Sequence, residues 1–385
     1  MSRTLARACA CTAAGVAALA LAACSAPTND TSSSSSTSGS SGSATGGGDP
    51  KTATSAADLG GMSALEAAAK KEGALNVIAL PPDWANYGQI LKDFAAKYPE
   101  IKITSAQPDA GSADEITAAQ RLKGQSSAPD VFDLGPAVAL ANTAMFAPYK
   151  VADFDKIPSD FKESTGLWVN DYGGLMTVGY DSAKVPAPTS LADLLKPEYK
   201  GKVALNGDPL KAGAAFAGVQ MVAIAEGGSP DDPTKGIEWF KKLKAAGNFL
   251  PIDPTPATIE SGQTPVVFDW SYNQVGVIPK LSTWKMWSPD NASLMTYYVQ
   301  AINKDAPHPA AARLWEEYLY SAAGQNAWLK GGAKPVLFDE MEKAGSLDKT
   351  AADALPKVTT PVIPTADQTD KAKTILAKDW ANAIG

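Results

Sequence analysis

Three aspartates stand beside aromatic residues where apolar runs end: Asp83 before Trp84 and Tyr87, Asp171 before Tyr172, and Asp269 before Trp270, Tyr272 and Asn273. Asp133, and Asp208 with nearby Lys211, close similar runs. A carboxylate offers a charge-assisted hydrogen bond and an aromatic face attracts an ammonium or guanidinium group, so this mixture suits a polyamine or another small organic cation. Asp after a strand also caps the next helix, and Asp83, Asp133 and Asp208 fit that role equally well. Trp84, in a loop after Pro82 and Asp83, is awkward core material and reads with Trp270 as pocket lining. Trp239, Trp315 and Trp328 fall on helical patterns and read as packing. A phosphate- or phosphonate-type anion is the alternative: helix N-termini after Asp83 and Asp208 would offer N–H groups, with Lys211 and Gly213 beside them. The local carboxylates oppose it.

Most familiar catalysis is excluded by composition. The chain has one histidine, His308, and no G-x-S-x-G, H-E-x-x-H, C-x-x-C, Walker or G-x-G-x-x-G motif. His308 lies between Pro307 and Pro309 and reads as a solvated position at a helix start. No cofactor is called for, and zinc or haem would lack ligands. A carboxylate-dependent hydrolase remains conceivable, with Asp133 and Asp171 as acid and base.

These residues need elements to hold them. Ala74–Leu80, Ile101–Ala106 and Val131–Leu134 read as strands, alternating with helices over 87–98 and 113–122. A second series follows: a strand at 175–180, a short helix at 191–195, a strand at 202–205, helices to 225 and over 234–246, and strands at 266–268 and 294–302. Helices at 309–320 and 323–329 come next, and a last one is opened by a capping box of Thr365 and Gln368. Ser63 and Glu66 suggest another box. Apolar strands alternating with helices predict an α/β fold with mainly parallel pairing.

The N-terminus carries a different message. Arg3 and Arg7 precede an apolar run that closes as Leu21-Ala22-Ala23-Cys24, the order of an export signal. Cleavage before Cys24 resembles the lipobox of bacterial lipoproteins, which implies a lipidated Cys24; two acyl chains suffice for lasting attachment. Residues 24–60 are rich in Ser, Gly and Thr and read as a disordered tether. Cys9 and Cys11 leave with the signal, so no disulfide is expected. The net charge of −7 becomes more negative without Arg3 and Arg7, which argues against nucleic acid as a partner.

Two stretches resemble a known family. Pro188 to Pro209, reading PTSLADLLKPEYKGKVALNGDP after VGYDSAKV, and Ile302 to Leu329, reading INKDAPHPAAARLWEEYLYSAAGQNAWL, are similar to solute-binding proteins of bacterial ABC importers. The likeness is to the group that binds polyamines, ferric iron or thiamine. It implies the type II periplasmic-binding-protein fold: two lobes, each a mixed, mainly parallel sheet flanked by helices, joined by strands crossing near 171–179 and 294–302. The domains would be a signal peptide at 1–23, the tether, lobe 1 at 61–170, lobe 2 at 171–296, and the rest of lobe 1 with the C-terminal helix at 297–385. It implies a monomeric binder, not an enzyme, on the outer face of the cell membrane, passing a solute to a membrane permease. Ferric-binding relatives use adjacent tyrosines where this chain reads FDWSYNQVG; only Tyr272 matches, which counts against Fe³⁺. Tyr297-Tyr298 in the returning strand is a poor substitute, because strand neighbours face opposite ways.

Overall fold

Helical periodicity in Tyr87, Ile90 and Phe94 buries one face of the helix Tyr87–Lys97, and Pro99 stops it one residue after its C-cap, Tyr98. The computed structural model describes residues 47–358 and 361–385. Cys24 and the preceding signal therefore lie outside the described residues. Among the described residues ten strands are formed: β1 (Ala74–Ile78), β2 (Lys102–Ala106), β3 (Val131–Leu134), β4 (Phe146–Ala147), β5 (Val169–Asp181), β6 (Val203–Leu205), β7 (Val266–Trp270), β8 (Trp284–Trp287), β9 (Met295–Asn303) and β10 (Lys334–Pro335). The α/β class and the expected strand–helix alternation hold.

Strand direction differs from the expectation. Among the strands of the described residues, β1–β2 and β6–β7 pair in parallel, whereas β3–β9, β5–β9, β5–β7, β5–β8, β4–β9 and β5–β10 are antiparallel. Apolar content reports that a strand is buried on both faces, but direction is set by which strand returns beside it. Here β5 and β9 run antiparallel to each other, and both are built into the sheet centre. The thirteen-residue β5 pairs with β9 over its first half and with β7 and β8 over its second. It is therefore shared by two groups of strands, one holding β3, β4 and β9, the other β6, β7 and β8.

The chain between Gly47 and Gly60 corrects the expected tether. Buried Arg313 donates through Nε to the Ala53 carbonyl at 2.9 Å, and Ala53 and Leu59 are themselves buried. Small polar composition cannot reveal a partner 260 residues away. The Ser63–Glu66 box is also absent: the helix Met62–Glu72 is entered through Gly61 at φ 100° with no side-chain cap. The other box forms, with Gln368 N donating to Thr365 Oγ1 at 3.2 Å and Thr365 N to Gln368 Oε1 at 2.9 Å. The C-terminal helix Ala366–Ile384 packs on the helix Thr234–Ala245, where Trp380 meets Phe240 edge to face at 5.7 Å.

Candidate functional site

The loop after β1 turns sharply, with Ala79, Ala85 and Asn86 all at positive φ, and this strained path projects Trp84. The indole donates through Nε1 to the Tyr172 hydroxyl at 2.9 Å. Its ring lies 4.8 Å from Tyr272 and 6.0 Å from Tyr298. Tyr298 stacks on Tyr172 at 5.4 Å and 7°, and Tyr272 meets Tyr172 edge to face at 6.2 Å. Four aromatics thus close a box whose walls come from the β1 loop, β5, the helix Ser271–Val277 that follows β7, and β9. Trp270 backs it, stacked on Tyr272 at 6.4 Å. Gly174 on β5 makes room: a Cβ there would fall 2.6 Å from Tyr272 Cε1 and 3.0 Å from Trp270 Cε3.

Beneath the box lies a layer of acids. The β5–β9 register shifts between Asn170 and Gly173, so strand alternation breaks and both Asp171 and Tyr172 turn into the interior. Tyr172 OH donates to Asp133 Oδ2 at 3.2 Å, and Gln300 Nε2 donates to Asp171 Oδ2 at 2.8 Å and to Tyr87 OH at 3.1 Å. Asp133 N donates to Glu115 Oε2 at 3.1 Å, and Glu316 is buried close by. Burial pushes Asp133 up to about 7, against the pull of the Tyr87 and Tyr172 hydroxyls. Burial, then the Asp133 charge, also holds Asp171, Glu115 and Glu316 well above the usual carboxylate range. Asp133 Oδ1 and Glu316 Oε1 are buried without a hydrogen-bond partner.

A cavity of about 230 Å³ opens beside the box, lined by Asp83, Trp84, Asn206, Asp269 and Asn273, with Lys280 and Glu260 at its margin. Asn273 Nδ2 donates to Asp269 Oδ1 at 3.0 Å and Oδ2 at 3.1 Å, and Trp270 N to Oδ1 at 2.7 Å. Burial still raises Asp269 to about 6. Lys280 is paired with Glu260 at 3.5 Å.

Ten of the twelve residues singled out from sequence thus fall in one region: Asp83, Trp84, Asp269 and Asn273 on the cavity, Tyr172, Trp270 and Tyr272 in or behind the box, and Tyr87, Asp133 and Asp171 below it. Asp208 and Lys211 are not brought to it. Lys211, with 83% of its side chain exposed, pairs with Asp208 at 3.2 Å, and Asp208 accepts from Leu210 N at 3.0 Å, closing its own turn. This is a local turn and not a helix cap, since the helix Gly213–Ala225 starts from Ala212 with no side-chain cap, and the exposed Lys211 leaves an anion site without its basic element. Sequence reasoning missed Tyr298, Glu115, Gln300, Glu316 and Asn206. Alternation did say that Tyr297 and Tyr298 part company: Tyr297 packs on Phe161 at 4.7 Å, while Tyr298 joins the box.

Residues 129–371 match the family model described as bacterial extracellular solute-binding protein, more than half of the chain. The chain belongs to this solute-binding family. An Fe(3+)-binding periplasmic protein of Serratia marcescens is 28% identical over 150 residues, which cover 37% of this chain and 41% of that protein. The match therefore spans less than half the length of this curated relative. The fold is shared with an ABC transporter substrate-binding protein from Bradyrhizobium japonicum (TM-score 0.61, 17% identity, 81% of this chain and 100% of that one). It is shared with the spermidine/putrescine substrate-binding protein PotD of Streptococcus pneumoniae (0.58, 14%, 80% and 99%). A ferric binding protein from Campylobacter jejuni fits as well (0.58, 17%, 80% and 99%). At such identities the likeness fixes the architecture, and this solute-binding chain must be read for its solute from its own side chains. No helix among the described residues is long and apolar enough to cross a membrane.

Proposed function

We propose that this solute-binding protein captures a small organic cation carrying an ammonium group and delivers it to a membrane permease, the protein being held outside the cell by a lipid on Cys24. The observation that supports the ligand class is the box of Trp84, Tyr172, Tyr272 and Tyr298 standing over buried Asp133, whose Oδ1 has no partner. Aromatic faces and a carboxylate are what an ammonium group asks for. Asp269 at the cavity is a second carboxylate, held in place by Asn273 Nδ2 and Trp270 N. Shared strands β5 and β9 are the natural crossing between two lobes, and closure about them would hide the solute from water. An anion gains nothing here, since the nearby Lys280 is already paired and Lys211 lies elsewhere.

Ferric iron is the second reading, favoured by the Serratia relative and by the gathering of three tyrosines. The stacking of Tyr172 on Tyr298, and the engagement of Tyr172 OH by Trp84, suit a cage for a flat or rounded cation better than converging phenolates. A thermal-shift and calorimetric screen of putrescine, spermidine, choline, a phosphonate and Fe³⁺ separates these readings. The proposal expects an amine to raise the melting temperature and to be recovered intact. Stabilisation by Fe³⁺ alone with a visible phenolate band, or by the phosphonate alone, would overturn it; turnover of a glycoside would favour a hydrolase.

A further inference from the structure

The acids under the aromatic box are only partly satisfied: Glu115 accepts from Asp133 N and Asp171 from Tyr172 N and Gln300 Nε2, while Asp133 and Glu316 each keep an oxygen without a partner. Asp133 is faced by Glu115 from the helix Ser112–Arg121, Asp171 and Tyr172 from β5, Tyr298 from β9, Tyr87 from the helix Tyr87–Lys97 and Glu316 from the helix Pro309–Leu319. The Asp133 charge also raises the buried phenols Tyr272 and Tyr320. All of these are acids or phenols. Several unpaired carboxylates cannot share a dry interior as anions, because each loses its hydration and repels the next. Among the described residues no three Asp, Glu, His or Cys side chains converge as metal ligands would; burial and the neighbouring carboxylates favour the protonated, uncharged form of these acids. The two orphaned oxygens, Asp133 Oδ1 and Glu316 Oε1, are the places where a positive charge is missing.

We propose that capture of an organic cation expels a proton from this carboxyl cluster, chiefly from Asp133, making solute binding a cation-for-proton exchange. The inference rests on the organic-cation reading of the same site. In the exchange the O–H bond of the Asp133 carboxyl breaks, the proton passes to solvent, and the resulting carboxylate faces one ammonium group, whose single charge replaces that of the proton. The value near 7 that burial gives Asp133 places the exchange in the neutral range. Binding is then weakest in acid, where the proton competes, and strongest where the acid is already ionised.

The test is titration calorimetry of the full chain with putrescine, spermidine and choline, run in buffers of different ionisation enthalpy from pH 5.5 to 8.5. Choline has no proton to lose, and the other two stay fully charged over most of that range, so released protons come from the protein. The expected release approaches one proton per bound cation near pH 6 and falls to about a tenth of one near pH 8. Affinity should tighten about tenfold between pH 5.5 and 6.5 and level off above 8. Asp133→Asn should bind more weakly and lose the release, while Glu316→Gln keeps most of it. Binding whose heat is the same in every buffer at pH 6 would overturn the exchange and leave the organic-cation reading standing. Binding of none of the three amines would overturn both. If Asp133→Asn fails to fold, the protonated-carboxyl infrared band of the wild-type chain decides: loss of that band on amine binding at pH 6 supports the exchange, and its persistence sinks it.

Discussion

Asp130 and Asp133 are three residues apart on the same stretch of chain and both are buried, yet they live in opposite chemistry. Asp130 accepts from Asn76 N at 2.6 Å and His308 N at 2.7 Å, and His308 Nδ1 lies 2.9 Å from its Oδ2. It ties β1, the entry to β3 and the start of the helix Pro309–Leu319 into one knot. Glu72 completes that knot by accepting from Ala310 N and Ala311 N. His308 is thus half-buried and paired, where its flanking prolines had suggested a solvated cap. Asp133 has phenolic hydroxyls, acidic neighbours and a bare Oδ1, with the Tyr172 hydroxyl on its Oδ2. The lesson is that burial alone does not classify an acid. An acid surrounded by donors is part of the scaffold, and one surrounded by acids and aromatics awaits something positive.

Substitution is the sharpest way to break this contrast. Asp130→Ala strands donors from two elements in the interior and should cost about 3–5 kcal/mol in chemical denaturation. It should leave amine affinity nearly unchanged wherever the protein is folded. Asp133→Asn should do the reverse, weakening amine binding by about 1.5–3 kcal/mol in calorimetry, while stability at pH 8 rises because no charge is left to bury. If both variants lose stability alike, the distinction between scaffold acid and waiting acid is wrong.

The pH dependence sharpens it further. Between about pH 4 and 7 the folded protein keeps a proton on Asp133 that the unfolded chain has released, so the empty protein loses stability as pH rises through that window, by up to about 1.4 kcal/mol per unit. Denaturant melts from pH 4.5 to 7.5 should show a shallower fall in Asp133→Asn. His308 works at the next step: its hydrogen bond to Asp130, outweighing desolvation, raises the imidazole above 6.5. The stability it adds is full below 6.5 and is lost as pH climbs through the raised value. His308→Gln should therefore flatten the decline only above pH 6.5.

Smaller effects are expected at the rim. Trp84→Ala removes one wall and the donor to Tyr172, and should weaken amine binding by about 0.5–2 kcal/mol, with Trp84→Phe recovering part of it. Lys211→Ala should change neither affinity nor stability by more than about 0.5 kcal/mol, because its partner Asp208 is satisfied within its own turn. A marked loss of binding in Lys211→Ala would restore the anion reading.

Local pattern carried a good deal of this molecule. Helical spacing placed Tyr87–Lys97, apolar runs placed β1, β3 and β7, and the Thr365–Gln368 spacing opened the last helix, because period and capping are encoded over a few residues. The Asp–aromatic neighbours were legible for the same reason. Three things were decided only by the folded chain. Strand direction depended on β5 and β9 returning side by side. Tyr298, Glu115 and Glu316 joined the site across separations that no window of sequence spans, on strand and helix positions whose local signal is plain burial. And Asp133 differs from Asp208 not in its own neighbours along the chain but in what packs around it: a turn satisfies a carboxylate with its own N–H groups, whereas an interior assembled from distant elements can leave one oxygen with nothing to accept.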